Sequence, residues 1–316
     1  MTAPAGAVTS VGFVGLGKAG WNMAANLVAA GYRLVVSERD AEREERFAAE
    51  HPGVRRGPEA FGDVEVVVTM LPHGGVVRDV LLGEGGLAGR LAPGTIVVDT
   101  SSSDPFGTRE LGAELAEIGL VLLDAPVTRP EHDHVNTRRI TFMVGGDDEA
   151  AVERVMPLLE AMAERVFRVG ALGNGHATKT LNNFVACSGL VAALDALMIG
   201  QRFGLDAETT LDVFNAGTAR NFSTASVLID ESLSRRYATG FGLALMVKDM
   251  GIASRLTEAM GFPTTAPQQV RDRLAEALEA LGDPSVDHAA VIEYWERVNG
   301  APLPPLRPGR ALPPLA

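Results

Sequence analysis

The feature that most constrains this chain is a glycine-rich segment near its start, placed directly after a short apolar run. Val11 to Val14 form the run, and Gly15, Gly17 and Gly20 follow it in the spacing G-x-G-x-x-G. The first glycine makes a tight turn, the second lets a pyrophosphate approach the backbone, and the third allows close packing of helix on strand. Together with a helix over Trp21 to Ala30, this loop predicts a dinucleotide-binding βαβ unit.

The end of the next predicted strand bears on which dinucleotide is bound. Arg33 to Ser37 form that strand, and Glu38 follows it. A carboxylate here accepts hydrogen bonds from a ribose hydroxyl and repels a 2′-phosphate. Arg39 favours the opposite outcome, because an arginine pairs with that phosphate, and it is also interpretable as an exposed surface charge. On these two residues we expect NAD in preference to NADP.

Strands and helices alternate through the first half of the chain. Val64 to Met70 is a near-continuous β-branched run, typical of a parallel strand covered on both faces. Other predicted elements are the strands Thr95 to Asp99, Leu120 to Asp124 and Ile140 to Val144, and the helices Ala41 to Glu50 and Pro105 to Ile118. This alternation predicts an α/β fold with a doubly wound, Rossmann-type N-terminal domain.

Beyond about Gly170 the strand signals largely vanish and helical periodicity dominates. A long helix from roughly His176 to Phe203 joins the two halves, and further helices are predicted at Ala207 to Asn215, Gly242 to Met260, Pro267 to Leu281 and Asp287 to Asn299. We therefore predict a Rossmann domain over residues 1–170, an all-helical domain over residues 171–300, and a proline-rich tail over residues 301–316.

The start of the long helix carries the residues most suited to chemistry. Gly173 and Gly175 precede Lys179 and Asn183, which are four positions apart and so project from one helix face. A lysine beside an apolar run is partly desolvated, which lowers its pKa toward values useful for proton transfer. A nicotinamide near the N-terminus and this lysine together suggest hydride transfer to or from an alcohol.

Charge and cysteine content exclude several classes of function. A formal net charge of −12 argues against a nucleic-acid partner, since phosphate binding requires a basic surface. The single cysteine, Cys187, cannot form an internal disulfide, which favours the cytoplasm. Residues Met1 to Ser10 contain no basic residue and do not resemble a signal peptide. The apolar stretch Val185 to Ile199 is short and contains Asp195, so we expect no membrane span.

Four motifs in order along the chain resemble those of the β-hydroxyacid dehydrogenase family, which includes 3-hydroxyisobutyrate dehydrogenase. Residues 12–20 resemble its G-F-I-G-L-G-x-M-G opening, with Ala19 in place of methionine. Residues 124–127, Asp-Ala-Pro-Val, match the start of its D-A-P-V-S-G-G motif, and residues 173–183 fit G-x-G-x-x-x-K-x-x-N-N at every fixed position. Lys248 and Asp249 fall where the family has a K-D pair. The resemblance covers nearly the whole chain.

The resemblance implies specific roles and partners. Lys179 would be the catalytic lysine, Asn183 would hold the substrate beside it, and Lys248 would reach the cofactor. The remaining residues expected at the cofactor are Leu16 in the glycine loop, Met70, Leu71 and Pro72 after one strand, and Ser102 after another. The serine cluster around Ser102, before Asp104 and Pro105, is also interpretable as a helix N-cap. The family further implies a homodimer or homotetramer.

The substrate motif departs from the family pattern at residues 128–130. Thr128 keeps a hydroxyl, whereas Arg129 and Pro130 replace two glycines. Arginine supplies a fork of donors suited to a carboxylate, phosphate or sulfonate, and an arginine here resembles the motif of the family's sulfolactaldehyde reductases. We therefore expect Thr128 and Arg129 to bind an anionic substrate group. A salt bridge from Arg129 to Glu131 or Asp133 is the alternative.

Three other interpretations compete with this one. Glu131, His132, Asp133 and His134 contain metal-ligand types, but alternate residues of an extended strand point apart and no third ligand group follows, so we expect no metal. An imine reductase shares the two-domain plan, but that class generally lacks a lysine at the position of Lys179. A non-catalytic dinucleotide-binding protein on the same fold would not need the pair Lys179 and Asn183.

Overall fold

The computed structural model describes residues 8–128, 138–304 and 306. The chain divides into two compact units, a first unit Met1–Lys179 and a second unit Thr180–Ala316. The division falls nine residues beyond the boundary expected from the sequence, because the first turns of the long helix pack with the first unit.

The first unit is built on a nine-stranded, mostly parallel sheet. Its strands are β1 Ser10–Val14, β2 Arg33–Ser37, β3 Arg55–Arg56, β4 Val66–Thr69, β5 Ile96–Asp99, β6 Val121–Asp124, β7 Val127–Thr128, β8 Thr141–Gly145 and β9 Arg165–Gly170. The parallel part has the order β3-β2-β1-β4-β5-β6, after which β8 is antiparallel to β6 and pairs with both β7 and β9. This is the doubly wound order, so the predicted fold class is confirmed.

Helices connect these strands. They are α1 Lys18–Ala29, α2 Ala41–Glu50, α3 Gly74–Leu82, α4 Pro105–Glu117 and α5 Glu149–Met162, followed by α6 Asn174–Phe203, which continues into the second unit. Short 3₁₀ helices lie at Pro58–Asp63 and Leu87–Arg90. The sequence did not single out α3, α5 or β9. α3 opens on two glycines and β-branched residues, α5 contains Pro157, and β9 is a strand with exposed residues.

The register of the parallel strands brings polar residues into one row at the carboxyl edge of the sheet. Val14 of β1 is opposite Thr69 of β4, Thr69 is opposite Asp99 of β5, and Asp99 is opposite Asp124 of β6. In β4, β5 and β6 the positions before this row are valines, leucines and one isoleucine, all buried except half-buried Val121, as a sheet covered on both faces requires. Ligands of doubly wound sheets bind beyond this edge.

The second unit is helical. After α6 come α7 Ala207–Ala216, a π-helical segment Ser223–Ser232, α8 Leu243–Ala259, α9 Ala266–Leu281, a 3₁₀ turn His288–Val291 and α10 Ile292–Asn299. Buried leucines and methionines of α6, α8 and α9 pack around Trp295 and form its core. Leu303 is also buried in this core, so the first residues of the segment expected to be a tail belong to the packed unit.

Helix α6 is long and unusually apolar. An 18-residue window of α6 has a mean hydropathy of 1.7 and is 39% buried, so by length and composition alone it could cross a membrane. The core helix of a globular protein passes the same test, and this is weak evidence. Within the second unit, Cys187 is buried in the apolar core, and Asp195 accepts a hydrogen bond from Trp295 Nε1 at 2.7 Å.

Candidate active site

The glycine loop turns sharply at the end of β1. Gly15 has a φ of +97°, which favours glycine, and a Cβ there would collide with the carbonyl oxygen of Met70. Its N–H donates to the carbonyl of Ser37 at 3.0 Å, so the turn remains tied to β2. Gly20 packs directly on the carbonyl of Gly15, leaving no room for a side chain. The chain therefore enters α1 immediately beside the sheet.

Helix α1 begins on a residue without a capping side chain. Gly17 is its exposed N-cap, and no side-chain hydrogen bond from the described residues caps this end. A Cβ placed on Gly17 would meet no atom within 4 Å. The first N–H groups of a helix need acceptors and carry its positive dipole end, so this helix start can receive an anion such as a pyrophosphate.

Glu38 lies against this loop. Its carboxylate accepts the N–H of Leu16 at 2.6 Å and the N–H of Asp40 at 3.1 Å, and the Arg43 guanidinium lies 3.9 Å away. Glu38 thus supports the glycine loop in addition to standing at the end of β2, where a ribose would be recognised. Arg39 is exposed beside it.

The segments after β4 and β5 are joined to each other. Met70 and Leu71 are half-buried and Pro72 is exposed, and Leu71 donates its N–H to Ser101 Oγ at 2.9 Å. Ser102 is half-buried. The N-cap of α4 is Asp104, which accepts from Phe106 N at 3.0 Å, with Pro105 in the first turn. The capping role considered for the serine cluster therefore belongs to Asp104.

Asp99 organises the carboxyl edge beneath these segments. It is 2% exposed and accepts hydrogen bonds from Thr69 Oγ1 at 2.9 Å and from Ser103 Oγ at 3.0 Å. The N–H of Ser101 donates to the same carboxylate at 3.0 Å. Three hydrogen-bond donors satisfy a buried carboxyl group that would otherwise be costly to remove from water.

Asp124, the neighbour of Asp99 in the strand register, holds the start of α6. Its two carboxylate oxygens accept the N–H groups of Gly173 at 2.8 Å and His176 at 2.7 Å. His176 is itself fully buried, between Thr108 Oγ1 at 2.7 Å and the Ser101 carbonyl at 3.1 Å. Burial raises the pKa of Asp124, and this outweighs the opposing effects of His176 and of the N–H donors.

Lys179 and Asn183 follow on the same helix. Lys179, the last residue of the first unit, is half-buried, and Asn183 lies four residues later, about 6 Å along the helix axis. Within the second unit, Asn183 Nδ2 donates to Asp249 Oδ2 at 2.7 Å, and Lys248 Nζ lies 3.0 Å from Asp249 Oδ1. Buried Asp249 therefore connects the residue expected at the substrate to the one expected at the cofactor.

The expected substrate loop is described only at its start. Thr128 is half-buried in β7 and pairs with Thr141 of β8. Arg129, Pro130 and the segment Glu131 to His134 lie outside the described residues, and so does the alternative salt bridge of Arg129. Over residues 8–128, 138–304 and 306, no group of three or more His, Cys, Asp or Glu side chains is arranged to hold a metal ion.

Three buried residues, two in the first unit and one in the second, were not assigned roles from the sequence. They are Asp99, His176 and Asp249, all of which act on other groups through hydrogen bonds. A signal for Asp99 existed, because an aspartate ends a predicted buried strand. None existed for His176, since its partners are 68 and 75 residues away in the chain.

The sequence of this chain is similar to two known domain families and to several known proteins. Residues 10–170 match the NAD-binding domain of 6-phosphogluconate dehydrogenase, and residues 173–295 match the "NAD-binding of NADP-dependent 3-hydroxyisobutyrate dehydrogenase" domain family. A probable 3-hydroxyisobutyrate dehydrogenase of Mycobacterium bovis is 34% identical over 298 residues, covering 90% of this chain and 97% of the relative.

Two further relatives concern serine. An NAD-dependent L-serine dehydrogenase of Pseudomonas aeruginosa is 33% identical over 261 residues, covering 80% of this chain and 87% of the relative. A solved structure of Mycobacterium tuberculosis 3-hydroxyisobutyrate dehydrogenase with L-serine superposes with a TM-score of 0.80 at 32% identity, covering 91% of this chain and 99% of that one. The sequence motifs and the overall fold thus have the same relatives.

Proposed function

This chain belongs to the β-hydroxyacid dehydrogenase family, and on that premise we propose that it interconverts a small anionic β-hydroxyacid and its semialdehyde or ketone, with Lys179 as general acid/base. The family assignment makes it an NAD(P)-dependent 3-hydroxyacid dehydrogenase. The proposal goes further by assigning a substrate class and a role to each residue of the site.

One observation carries the proposal: Lys179 and Asn183 stand one turn apart on a helix whose start is anchored at the carboxyl edge of the sheet. The glycine loop lies at the same edge, at the end of β1. A proton-transferring amine and a dinucleotide-binding loop at one edge of one unit are what oxidation of an alcohol requires.

The residues at this edge fit a nicotinamide dinucleotide. The uncapped start of α1, with Gly15, Gly17 and Gly20, would hold the pyrophosphate, and Glu38 would face the ribose. Met70, Leu71, Pro72 and Ser102 complete the set proposed for the cofactor in the first unit, and the family resemblance adds Lys248. When bound, the nicotinamide supplies the acceptor for the carbinol hydride.

Lys179 completes the reaction by moving one proton. As a neutral amine it takes the hydroxyl proton while the carbinol C–H pair leaves as hydride, and a carbonyl remains. As ammonium, in the reverse direction, it protonates the developing alkoxide. Asn183 orients the substrate oxygen, and Asp249 fixes the amide of Asn183 for this purpose. Because only the neutral amine accepts a proton, oxidation should accelerate toward alkaline pH.

We propose that Thr128 and Arg129 bind the anionic end of the substrate. The relatives named for 3-hydroxyisobutyrate and L-serine support a small hydroxyacid carrying a carboxylate. Arginine in this loop extends the candidates to a hydroxysulfonate, because a guanidinium binds both anions through paired hydrogen bonds. Comparing Arg129→Gly with wild type on charged and uncharged substrates tests this. Equal losses on both would remove the role of Arg129.

We propose NAD as the preferred cofactor, from the position of Glu38. Its carboxylate lies at the end of β2 beside the glycine loop, where it would repel a 2′-phosphate. Arg39 is the residue that would favour NADP, so the ratio of the two dissociation constants decides the matter.

Exposed apolar side chains of α6 support an oligomer. Val185, Ile199 and Phe203 of α6 are 70%, 69% and 84% exposed, and exposed apolar side chains on one helix are typical of an interface. We expect a homodimer or homotetramer, to be measured by light scattering. We also keep the cytoplasm as the expected location.

The experiment that tests the proposed reaction follows the absorbance of the reduced nicotinamide with wild type and Lys179→Ala. NAD and NADP are offered separately with hydroxyisobutyrate, serine, glycerate, hydroxybutyrate and dihydroxypropanesulfonate. We expect turnover of at least one substrate and a loss of about 10²–10⁴-fold in kcat in the variant. Arg202→Ala, a cation at the far end of the same helix, is the matched control and should keep wild-type kcat.

Two competing functions are distinguished by the same assay. Turnover of cyclic imines that survives Lys179→Ala would indicate an imine reductase. Dinucleotide binding with no turnover of any offered substrate would favour a non-catalytic binding protein. Lys179→Ala must bind the dinucleotide like wild type, because otherwise its loss of activity would not concern proton transfer.

A further inference from the structure

We infer that Asp124 and His176 are positioning residues that fix Lys179 at the carboxyl edge of the sheet. The inference rests on the proposed role of Lys179 in proton transfer and goes beyond it by assigning the groups that set its position. Lys179, Asp124 and His176 all belong to the first unit. The inference therefore concerns the internal geometry of that unit.

Asp124 accepts two N–H groups of the α6 start by direct contact. The carboxylate lies 2.8 Å from Gly173 N and 2.7 Å from His176 N, one N–H for each oxygen. The contact depends on two glycines: a Cβ on Gly145 would lie 2.5 Å from Asp124 Oδ1, and one on Gly175 would lie 2.8 Å from Oδ2. The end of β6 and the first turn of α6 are thus held at a fixed separation.

His176 joins the same turn to two other elements. Its Nε2 lies 3.1 Å from the Ser101 carbonyl, and because a carbonyl only accepts, Nε2 must carry a hydrogen. Its Nδ1 lies 2.7 Å from Thr108 Oγ1 of α4, whose hydroxyl also lies 3.0 Å from the Asp104 carbonyl, so the direction of the bond to Nδ1 depends on the tautomer of the ring. The nearest carboxylate oxygens, of Asp99 and Asp124, are 3.6 and 3.7 Å from the ring nitrogens.

The contacts of Asp124 and His176 also fix the position of Lys179, because all of them act on the first turns of α6. Lys179 lies three residues after His176, about 4.5 Å along the axis and on a neighbouring part of the same face. A shift of the first turn therefore moves the amine by a similar distance. Displacement of a reacting group by about 1 Å can cost about 10²-fold in rate.

Three variants separate positioning from folding. Asp124→Asn keeps one oxygen acceptor but turns an amide NH₂ toward a second N–H, so one hydrogen bond is lost. His176→Gln keeps a donor and an acceptor, whereas His176→Leu has neither. We expect kcat to fall about 30–100-fold in Asp124→Asn and His176→Leu and to stay within about threefold in His176→Gln. KM and the dissociation constant of the dinucleotide should change less than about threefold.

Hydrogen exchange supplies a readout that does not depend on turnover. Loss of one cap hydrogen bond should speed amide exchange over residues 173–180 by about tenfold in Asp124→Asn and leave the exchange of α8 and α9 unchanged. Uniformly faster exchange throughout the first unit would mean a general loss of stability and would overturn the positioning role.

Combining Asp124→Asn with Lys179→Ala decides the mechanism. If Asp124 acts through Lys179, its substitution lowers kcat in wild type but causes no further loss in the alanine background. An equal loss in both backgrounds, or wild-type kcat in Asp124→Asn alone, would overturn the inference. Full activity of Lys179→Ala would instead refute the proposed function of Lys179, which this inference presupposes.

Discussion

Two helices begin at the carboxyl edge of the same sheet, and they differ in whether a side chain accepts hydrogen bonds from their first N–H groups. Helix α1 begins on exposed Gly17 with open space around it and no capping side chain in the described part of the chain. Helix α6 begins in the interior, with its N–H groups of Gly173 and His176 accepted by the Asp124 carboxylate. Both starts present the same unsatisfied donors. Only one of them is satisfied by the protein.

The difference separates binding from positioning. A helix start left without an acceptor can receive a ligand anion, as α1 is proposed to do for the pyrophosphate. A start closed by a buried carboxylate cannot, but it is fixed in place, which suits a helix that carries a reacting side chain. The α-helices α2, α3, α4 and α5 are capped by Asp40, His73, Asp104 and Asp148, whereas the two short 3₁₀ helices of this unit, like α1, have no capping side chain among the described residues. Among the α-helices that begin in the described part of this unit, the start without a capping side chain is that of α1, which follows the glycine loop.

The largest effect should come from breaking the closed start. Gly175→Ala places a Cβ 2.8 Å from the carbonyl oxygen and from Oδ2 of Asp124, and still closer to the Met143 carbonyl, so the free energy of unfolding should fall by about 3 kcal/mol. Gly200→Ala, later in the same helix, meets only ordinary contacts at 3.5–4.0 Å and should raise it by about 0.5–1 kcal/mol. Urea unfolding of both variants tests the contrast, and a neutral Gly175→Ala would refute the tight contact.

The next largest effect, on dinucleotide binding, should come from adding a capping side chain at Gly17, the start of α1. Gly17 already has an extended ψ, so Gly17→Asp can cap α1, and its charge should weaken dinucleotide binding about 100-fold by repelling the pyrophosphate. Gly17→Asn has the same shape and caps equally well without the charge, so its loss should be smaller. Dissociation constants from fluorescence titration give the comparison. Equal losses for the two variants would assign the effect to shape and not to charge.

A smaller effect concerns the carboxylate that supports the open start. Glu38→Gln retains an oxygen that can accept the Leu16 N–H, so the glycine loop should persist, while the repulsion of a 2′-phosphate is lost. We expect the ratio of the NADP to the NAD dissociation constant to fall about tenfold. Arg39→Gln is the paired variant and should raise that ratio if Arg39 contacts the phosphate. An unchanged ratio in Glu38→Gln would place the ribose away from this residue.

The smallest effect extends the comparison to a half-exposed carboxylate. Glu65 accepts the N–H groups of Thr9 at 2.8 Å and Ser10 at 3.1 Å, much as Asp124 does at α6, and also binds Arg154 at 2.6 Å. Burial raises the pKa of Glu65, but these hydrogen bonds outweigh it and hold the pKa below its ordinary value of 4.5. For Asp124, burial prevails and the pKa is raised.

The sign of the pH dependence follows from the lowered pKa of Glu65. Its ionised form is favoured by folding, so its contribution to stability is complete above pH 4.5 and is lost as the pH falls from there through the folded pKa. Glu65→Gln should cost about 1–2 kcal/mol at pH 7 and less at pH 4, measured by urea unfolding. Glu59→Gln, at an 82% exposed side chain, is the control and should cost less than about 1 kcal/mol at either pH.

Secondary structure was predicted from the sequence where a short run of neighbouring residues favoured one type of element. The buried strands β4, β5 and β6 were located to within two residues, because runs of branched apolar side chains have few alternatives to a parallel sheet. Helices α3 and α5 were not singled out, since Gly74, Gly75 and Pro157 are poor helix formers and tertiary packing overrides their preference. The residues proposed for the cofactor and substrate came from motif spacing and remain predictions.

The sequence by itself determined the alternation of strands and helices, the glycine loop and the spacing of Lys179 and Asn183, because each depends on residues close together in the chain. Only the tertiary structure decided that Asp99 and Asp124 are neighbours in register, that His176 is enclosed by Ser101 and Thr108, and that Asp249 holds Asn183. These contacts join residues 25 to 75 positions apart, and strand register and helix packing fix them. A local pattern shows which side chains are available for chemistry, whereas packing determines which of them meet.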